Sequence, residues 1–505
     1  MKNHSNPKEM NPAHGRLPIE LVEDLHALNP WWEGKPGAPT PRFRRWPFTR
    51  LMRLIQGGLT PATILRGPRR VGKTILLRQV IEELSERGVA PTRILYVPFD
   101  ATPVAQELIE PILQIARWFE RQVVGRSFNE QANDGLTTYL FFDEVQNLNA
   151  WAPQLKHLVD NHAVHALITG SSSLKIESGR DSLAGRITTV DIGPLLLREI
   201  AELRLGHVEA TQWPGNGSEE LASSEFWRQL MDANRKTLNV RRQAFESFSR
   251  VGAYPVAHQN PSADWADIAD YLVETVIKRV LQHDIPSAQP AHRVDLHLIE
   301  GVFRLACRYA GQTPGPAAFV PDIRTILGQS HGWASIRRAL QVLDSTLLLR
   351  LVEPLELRLK RQKALAKLCL CDHALRAAWL QEIVPLDSEG LAANPHLSDL
   401  AGRLAESTLG YFLASIPNLD VAHFPERGAE PEVDFVMTIG TKRIPIEVKY
   451  RKKIDALEDT RGLRAFLEKS VYNAPFGLLI TLEDEVKILD PRIIPISLSS
   501  FLWTR

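Results

Sequence analysis

The stretch that decides the fold is LRGPRRVGKTILLRQVIEEL, Leu65–Leu84. It has the spacing G-x-x-x-x-G-K-T at Gly67, Gly72, Lys73 and Thr74, with an apolar strand before it and an amphipathic helix after it. Glycines let the backbone curl so that successive N–H groups point at phosphate oxygens, and the helix that follows adds the positive end of its dipole. The stretch therefore predicts a phosphate-binding loop between a strand and a helix.

A loop of this kind holds ATP, and every position in it is a predicted nucleotide contact. Lys73 is expected to reach the β- and γ-phosphates, and the Thr74 hydroxyl to ligate Mg²⁺. The predicted cofactor-binding residues of the loop are Gly67, Pro68, Arg69, Arg70, Val71, Gly72, Lys73 and Thr74.

An apolar strand that ends in two acids, TYLFFDE (Thr138–Glu144), supplies the second half of such a site. Asp143 is predicted to hold the Mg²⁺ shell, and Glu144 to act as general base on the attacking water, which favours hydrolysis over nucleotide storage. The next strand candidate, HALITG, is followed by hydroxyl residues. Thr169 or Ser171 is a candidate contact to the γ-phosphate, although hydroxyls at strand ends also cap helices.

Residues 46–204 alternate apolar strands with amphipathic helices, which predicts a mostly parallel sheet. The strand candidates are TILRG, RILYVPF, TYLFFDE, HALITG and TTVDIG. Residues 1–45 form a lead-in without a long periodic segment. Its NPWW stretch (Asn29–Trp32) is expected to pack either on this domain or on a neighbouring molecule.

Several motifs in this order, GPRRVGKT, FFDEVQNL, WAPQLKHLVD, ITGSSS and SLAGR, resemble bacterial and archaeal AAA-type ATPases of uncharacterised function. The resemblance extends to GAYP (Gly252–Pro255) and to the helix from Tyr271, which are similar to the domain of unknown function that follows the ATPase in that family. It implies an AAA+/ASCE P-loop fold and a homo-oligomer. It also implies that an arginine from a neighbouring subunit completes the site, and Arg186 is the candidate.

Residues 205–390 are predicted to be mostly helical, with a winged helix-turn-helix at about 320–370. The order is helix, turn, helix and two strands. Basic residues outnumber acidic ones nine to four between Asp322 and Lys367, which favours contact with DNA phosphates. A winged helix can instead pack on protein, and an exposed helical face is commonly charged. The basic residues of the would-be recognition helix and wing are Arg337, Arg338, Arg358, Lys360, Arg361 and Lys363.

The last domain, residues 391–505, contains EVDFVMTIGTKRIPIEVKY (Glu432–Tyr450), which predicts a β-hairpin with a turn at Gly440 and Thr441. Glu447 and Lys449 are two residues apart in one strand and so share a face. A solvated sheet face accounts for such charges as readily as a metal site does.

Together with Glu406 on the preceding helix, the hairpin resembles the PD-(D/E)XK nucleases, which have a restriction-endonuclease-like α/β fold. The resemblance implies that Asp434, Glu447, Lys449 and Glu406 are catalytic and that Asp434 and Glu447 bind Mg²⁺. Val433 stands where that family often has proline.

Bulk properties limit the remaining classes of function. A net charge of +1 means that any nucleic-acid contact comes from local patches. Three cysteines are too few for a disulfide framework, and Cys369 and Cys371 are expected to be buried, not zinc-bound. No apolar run suits a membrane and no leader is evident, so a cytoplasmic protein is expected.

The sequence thus predicts a multidomain α/β chain that hydrolyses ATP, acts on DNA and cuts it with Mg²⁺. The alternatives are an ATP-controlled switch that grips nucleic acid or protein without cutting, and a signal-transducing ATPase of defence or mobile-element systems.

Overall fold

The computed structural model describes residues 17–170, 183–208, 210–213, 219–285, 295–356, 365–426, 428 and 430–505. They divide into two compact units. The first contains the described residues up to Leu65, those from Thr74 to Gly170 and those from 183 to Val190. The second contains Arg66–Lys73 and the described residues from Asp191 onward.

Five strands between residues 62 and 191 form one sheet, in the order β2-β3-β4-β1-β5. β2 pairs with β3, and β3 with β4, in parallel. The first three strands are buried along their whole length, as expected for a parallel sheet that is covered on both faces. The strands are β1 (Ala62–Arg66), β2 (Ile94–Pro98), β3 (Thr138–Asp143), β4 (Val164–Gly170) and β5 (Ile187–Asp191).

Helices accompany these strands, and five of them bury apolar residues in one core with the sheet, to which Phe48–Gly57 and Lys73–Glu86 do not contribute. The core includes Leu21 and Leu25 of the first helix, so this part of the lead-in packs within the first unit. The helices are Ile19–Leu28, Phe48–Gly57, Lys73–Glu86, Pro103–Gln106, Pro111–Phe119, Phe128–Asn133 and Trp151–Asn161.

The NPWW stretch covers the free edge of β2. Asn29 is fully buried, donates to the Tyr96 carbonyl oxygen at 2.9 Å and accepts from the Tyr96 N–H at 2.7 Å, as a neighbouring strand would. The indole N–H groups of Trp31 and Trp32 both donate to the Ile94 carbonyl, at 3.1 and 2.8 Å. Of the two predicted places for this stretch, the domain of residues 46–204 is the one observed.

The second unit begins with helices and one small antiparallel sheet. β6 (Leu349–Val352) pairs with β7 (Lys367–Leu370). The helices that end at Leu327 and begin at Trp333, followed by β6 and β7, have the predicted helix–turn–helix–hairpin order, although the first helix begins at Pro316, where proline suits the first turn. The helices are Leu197–Leu205, Ser224–Lys236, Leu238–Val251, Pro255–Gln259, Trp265–Leu272, Leu296–Arg308, Pro316–Leu327, Trp333–Ser345 and His373–Leu380, and Val273–Lys278 and Val280–Asp284 are π-helical.

A second five-stranded sheet, in the order β12-β11-β10-β9-β8, completes the second unit. β9 and β10 form the predicted antiparallel hairpin, and Gly440 takes the positive φ (59°) that its turn requires. β10, β11 and β12 pair in parallel. The strands are β8 (Asp420–Phe424), β9 (Val433–Ile439), β10 (Lys442–Lys449), β11 (Gly477–Thr481) and β12 (Ile493–Ser497).

Helices Ser388–Ala393, Ser398–Ala414, Arg461–Leu467 and Leu498–Leu502 accompany this sheet. All three cysteines are buried, as predicted for Cys369 and Cys371. In the described part of the chain, no helix has the length and apolar character needed to cross a bilayer.

Candidate functional site

The phosphate loop takes the shape that its glycines allow. Gly72 has φ +98°, and a side chain at Gly67 would collide with the Ile192 carbonyl. Arg70, although not a glycine, also takes a positive φ of 63°. Lys73 is buried, and its ammonium donates to the carbonyl oxygens of Gly67 at 3.1 Å and Pro68 at 2.9 Å. The loop is thus curled around its own lysine.

The two arginines of the loop contact the helical segment that follows GAYP. Arg69 donates through Nε and Nη2 to both carboxylate oxygens of buried Asp284, at 2.7 and 2.5 Å. The Arg70 guanidinium lies 5.7 Å from the centre of the Tyr271 ring. Both arginines were predicted as nucleotide contacts. Because the ion pair with Asp284 engages the Arg69 side chain, the backbone N–H of Arg69 is the group that remains suited to phosphate.

Asp143 ends β3 in an almost fully buried position. Its carboxylate accepts hydrogen bonds from the hydroxyls of Thr169, Thr74 and, at 3.3 Å, Tyr96. Burial, and then the charge of Glu144, raise the pKa of Asp143, and the threonine hydroxyls offset part of that shift. Asp143 and Thr74 were predicted to share a Mg²⁺ shell, and these hydrogen bonds bring them together.

Glu144 lies at the turn after β3 with φ 54°, a left-handed conformation that is uncommon for glutamate. Its N–H donates to the Thr169 hydroxyl at 3.1 Å, and its carboxylate accepts from the Gln146 side chain. Thr169 therefore bonds to both acids at once. The sequence identified these three residues, but Tyr96 and Gln146 carried no signal because their roles depend on strand order and on a local turn.

The Thr74 hydroxyl and the Asp143 carboxylate fit a magnesium ion. A hydroxyl and a carboxylate side by side are hard oxygen donors, which Mg²⁺ prefers. The glycine-shaped loop next to the start of the helix Lys73–Glu86 supplies the N–H groups that suit phosphate.

Two further residues, Arg186 and Ser171, were predicted for this site. Arg186 is partly exposed, forms an ion pair with Asp160 and donates to the Ala184 carbonyl oxygen at 3.2 Å. Ser171 lies outside the described residues, as do the predicted wing residues Arg358, Lys360, Arg361 and Lys363.

The predicted nuclease residues come together at the C-terminal sheet, but around a lysine. Lys367, the first residue of β7, is buried and donates to Glu406 and, at 3.0 Å, to Asp434 Oδ1. Glu432 lies 3.6 Å from the same ammonium. The second oxygen of Asp434 accepts from the Val448 N–H at 2.8 Å. Both oxygens of the predicted metal ligand Asp434 are therefore occupied by donors of this chain.

The charges of this group are strongly coupled. Burial raises the pKa of Asp434, but the Lys367 ammonium and hydrogen bonds from Glu406 and the Val448 N–H outweigh burial and lower it. Burial and the nearby Asp434 carboxylate raise the pKa of Glu406. The pKa of Asp434 is thus lowered and that of Glu406 raised, as expected for two coupled carboxyl groups beside one ammonium.

Glu447 and Lys449 share one face, as predicted. Lys449 Nζ donates to Glu447 Oε1 at 2.5 Å, and the other oxygen, Oε2, is buried without a hydrogen-bond partner among the described residues. Burial and the charge of Asp434 raise the pKa of Glu447 to about 8, so this carboxyl is largely neutral at pH 7.

These residues do not fit a Mg²⁺ ion as they are arranged. A divalent cation needs ionised oxygens around an open position, whereas an ammonium lies between Glu406 and Asp434. Within the described ranges, no three His, Cys, Asp or Glu side chains are grouped so that they could hold a metal. In the sequence, Lys367 was recognised only as one of the nine basic residues between Asp322 and Lys367. The apolar residues that follow it, Leu368–Leu370, were the sequence feature that could have indicated that Lys367 is buried.

Family models match two parts of the chain. Residues 59–201 match the model described as AAA domain. Residues 404–501 match a domain of unknown function, DUF4143. The predicted AAA-type P-loop fold is therefore confirmed for the first of these parts. GAYP and the helix from Tyr271 lie outside both matches.

The curated relatives are uncharacterized proteins. One from Methanocaldococcus jannaschii is 22% identical over 298 residues, 58% of this chain and 54% of the relative. One from Haemophilus influenzae is 22% identical over 323 residues, 62% of this chain and 68% of the relative. One from Mycobacterium tuberculosis is 31% identical over 174 residues, which are 32% of this chain and 33% of the relative. The matches thus span about half, two thirds and one third of these relatives.

Among solved structures, the Walker-type ATPase PABY2304 of Pyrococcus abyssi has a TM-score of 0.36 at 16% identity, covering 69% of this chain and 99% of that chain. The structure of Drosophila ORC bound to DNA has a TM-score of 0.23 at 15% identity, and the match covers 75% of this chain and 95% of that chain. At these TM-scores the likenesses carry no weight for function.

Proposed function

We propose that this protein hydrolyses ATP at the AAA domain. The observation that carries the proposal is the Thr169 hydroxyl, which bonds to Asp143 and to the Glu144 N–H and so fixes the two acids relative to each other. Mg²⁺, when bound with the nucleotide, would be held by Thr74 and Asp143 and would neutralise phosphate charge. The loop N–H groups orient the phosphates, and Glu144 accepts the proton of the attacking water.

Steady-state ATPase kinetics of Glu144→Gln and Lys73→Ala test this proposal. We expect Glu144→Gln to lower kcat by at least about 100-fold while ATP still binds, because a general base contributes roughly 10²–10⁴-fold. Lys73→Ala should lose nucleotide binding. Glu107→Gln, an exposed glutamate of the same domain, is the matched control and should behave as wild type. A kcat for Glu144→Gln within tenfold of wild type would reject Glu144 as the base.

We also propose that residues 316–370 bind DNA. The proposal is supported by the helix–turn–helix–hairpin order and by Arg337 and Arg338, both exposed on the helix Trp333–Ser345. Arginines on one exposed helical face can neutralise phosphates, which makes binding depend on salt.

Fluorescence anisotropy with a labelled duplex, at several salt concentrations, tests the proposed DNA contact. Replacing Arg337 and Arg338 with alanine should weaken binding and reduce the slope of log K against log salt by about 2, one for each lost phosphate contact. The matched control replaces Arg304 and Arg308, which are exposed on the helix Leu296–Arg308. Equal losses in both double variants would mean that the helix Trp333–Ser345 has no special role.

A homo-oligomer in which Arg186 completes the site of the next subunit remains a proposal from the resemblance. It is supported by the partial exposure of Arg186 near the end of the AAA domain. Specific ATPase activity should rise with protein concentration, and Arg186→Ala should remove that rise. Activity per subunit that is independent of concentration and unchanged in Arg186→Ala would reject it.

For the C-terminal domain, the sequence predicts Mg²⁺-dependent cleavage of DNA. The second candidate, an ATP-controlled switch whose nuclease-like domain does not cut, is favoured by one specific observation. The Lys367 ammonium lies among the carboxyl groups that would hold the metal.

A further inference from the structure

Lys367 is the least expected side chain of the second unit. Its side chain is only 2% exposed, although lysine is almost never fully buried unless it is paired. The pairing is provided by Glu406 of the helix Ser398–Ala414 and Asp434 of β9, with Glu432 at 3.6 Å. The Phe435 ring adds a cation–π contact, with its centre 5.1 Å from Nζ. Lys367 therefore has the environment of a bound cation.

We propose that Lys367 is the permanent cation of the Glu406–Asp434 group, so that the C-terminal domain is organised by an internal ammonium and binds no divalent metal there. An ammonium is a compact point charge with three donors. Lys367 donates to Glu406 on the helix Ser398–Ala414 and to Asp434 on β9. It therefore joins the β6–β7 pair to the C-terminal sheet. This inference is independent of ATP hydrolysis and extends the non-cutting candidate.

The occupied oxygens support this assignment. Asp434 receives Lys367 on Oδ1 and the Val448 N–H on Oδ2, and Glu447 Oε1 receives Lys449. A Mg²⁺ ion at Asp434 would have to displace Lys367, and the displaced ammonium would then be buried without its partners. Separating a buried ion pair in this way is strongly unfavourable.

Mn²⁺ titration of the nucleotide-free, full-length protein is the direct test. By calorimetry, wild type should show no site with Kd below about 1 mM, and its Tm should be the same in EDTA and in 10 mM Mn²⁺. One Mn²⁺ bound per chain below that limit, and lost in Asp434→Asn, would overturn the proposal. This measurement needs no variant of Lys367, and it leaves the ATPase proposal untouched because ATP turnover is not its readout.

Three variants sharpen the test. Lys367→Met leaves the carboxyl groups without a cation, so its Tm should fall by roughly 5–15 °C and should recover at least half of that fall in 10 mM Mn²⁺. Lys367→Arg keeps the charge and should remain insensitive to metal. Lys442→Met removes an exposed lysine of β10 and should match wild type.

The opposite results are equally clear. A folded Lys367→Met protein that no metal stabilises, or a Lys442→Met protein with the same metal response as Lys367→Met, would contradict the assignment. If Lys367→Met does not fold, the wild-type titration decides alone.

Discussion

The Thr169 hydroxyl forms hydrogen bonds to both acidic residues at the end of β3, Asp143 and Glu144. It donates to Asp143 and accepts from the N–H of Glu144, which is the residue with the left-handed backbone. Without the hydroxyl, the Glu144 N–H loses this hydrogen bond, and the turn that orients the carboxylate is held less firmly. Thr169 is in this respect a positioning residue, whereas the sequence predicted a contact to the γ-phosphate.

We expect Thr169→Val to lower kcat for ATP by roughly 10–100-fold with a small change in KM, because a hydrogen bond to a charged group contributes roughly 1.5–3 kcal/mol. Thr169→Ser keeps the hydroxyl and should retain most of the activity. Steady-state ATPase assays of the two variants measure this. A large rise in KM at constant kcat would instead support the predicted phosphate contact.

His258 gives a pH dependence to the stability of the helical region. Burial, together with Arg204 and Arg250, lowers the pKa of His258 to about 4, against about 6.5 in an unfolded chain. The ring is neutral in the folded protein, because Arg204 donates to Nδ1 at 3.1 Å and Nε2 then donates to the Gly252 carbonyl at 2.8 Å. The stabilisation is therefore complete above pH 6.5 and is lost as the pH falls towards 4.

We expect the free energy of unfolding of wild type to fall by up to about 3 kcal/mol more than that of His258→Gln between pH 6.5 and pH 4. Glutamine keeps a donor for Gly252 and an acceptor for Arg204 but does not titrate. Urea unfolding followed by tryptophan fluorescence at a series of pH values measures the difference. His396→Gln, at an exposed position, is the control and should follow wild type. Parallel curves for wild type and His258→Gln would refute the prediction.

At the scale of elements, the edge of the AAA sheet is closed by a short irregular segment. Asn29 exchanges two hydrogen bonds with Tyr96 of β2 and also donates to the Leu25 carbonyl at 2.8 Å. An open strand edge is a template for pairing with another chain, and a buried asparagine with two indoles alongside blocks it. This segment therefore protects β2 as well as stabilising it.

Asn29→Ala should lower the free energy of unfolding by about 2–4 kcal/mol, since it leaves the N–H and C=O groups of Tyr96 unpaired. Asn129 makes similar bonds to the Asn161 carbonyl and the Ala163 N–H but is exposed, so Asn129→Ala should cost less than about 1 kcal/mol. Urea denaturation of both variants gives the comparison. Similar losses in the two would mean that burial of Asn29 is unimportant.

Elements with a strong local pattern were predictable from the sequence. The five AAA strands, the helix pair before β6 and the β9–β10 hairpin follow from apolar periodicity and from turns such as Gly440. Asn29 and Lys367 were not predictable in this way, because their partners Tyr96 and Asp434 are 67 residues away from each along the chain. Periodicity describes a strand or a helix but not the side chain that reaches it from a distant segment.

At the scale of the whole molecule, the metal-free C-terminal domain predicts a division of activities. Purified protein should hydrolyse ATP but should not cut linear, circular or single-stranded DNA in Mg²⁺ or Mn²⁺, with or without ATP. Gel analysis of the three substrates beside Glu447→Ala measures this. Metal-dependent cutting that disappears in Glu447→Ala would restore the nuclease predicted from the sequence and exclude the switch.

The strand order of the AAA sheet also affects how the chain is made. β1 lies between β4 and β5, whose residues follow it by about 100 positions or more. At a synthesis rate of about 5–20 residues per second, the apolar β1 waits roughly 5–20 s on the ribosome before its neighbours exist. Sheets that depend on such distant pairings form slowly. The nascent AAA domain is therefore a natural client for chaperones that shield apolar segments.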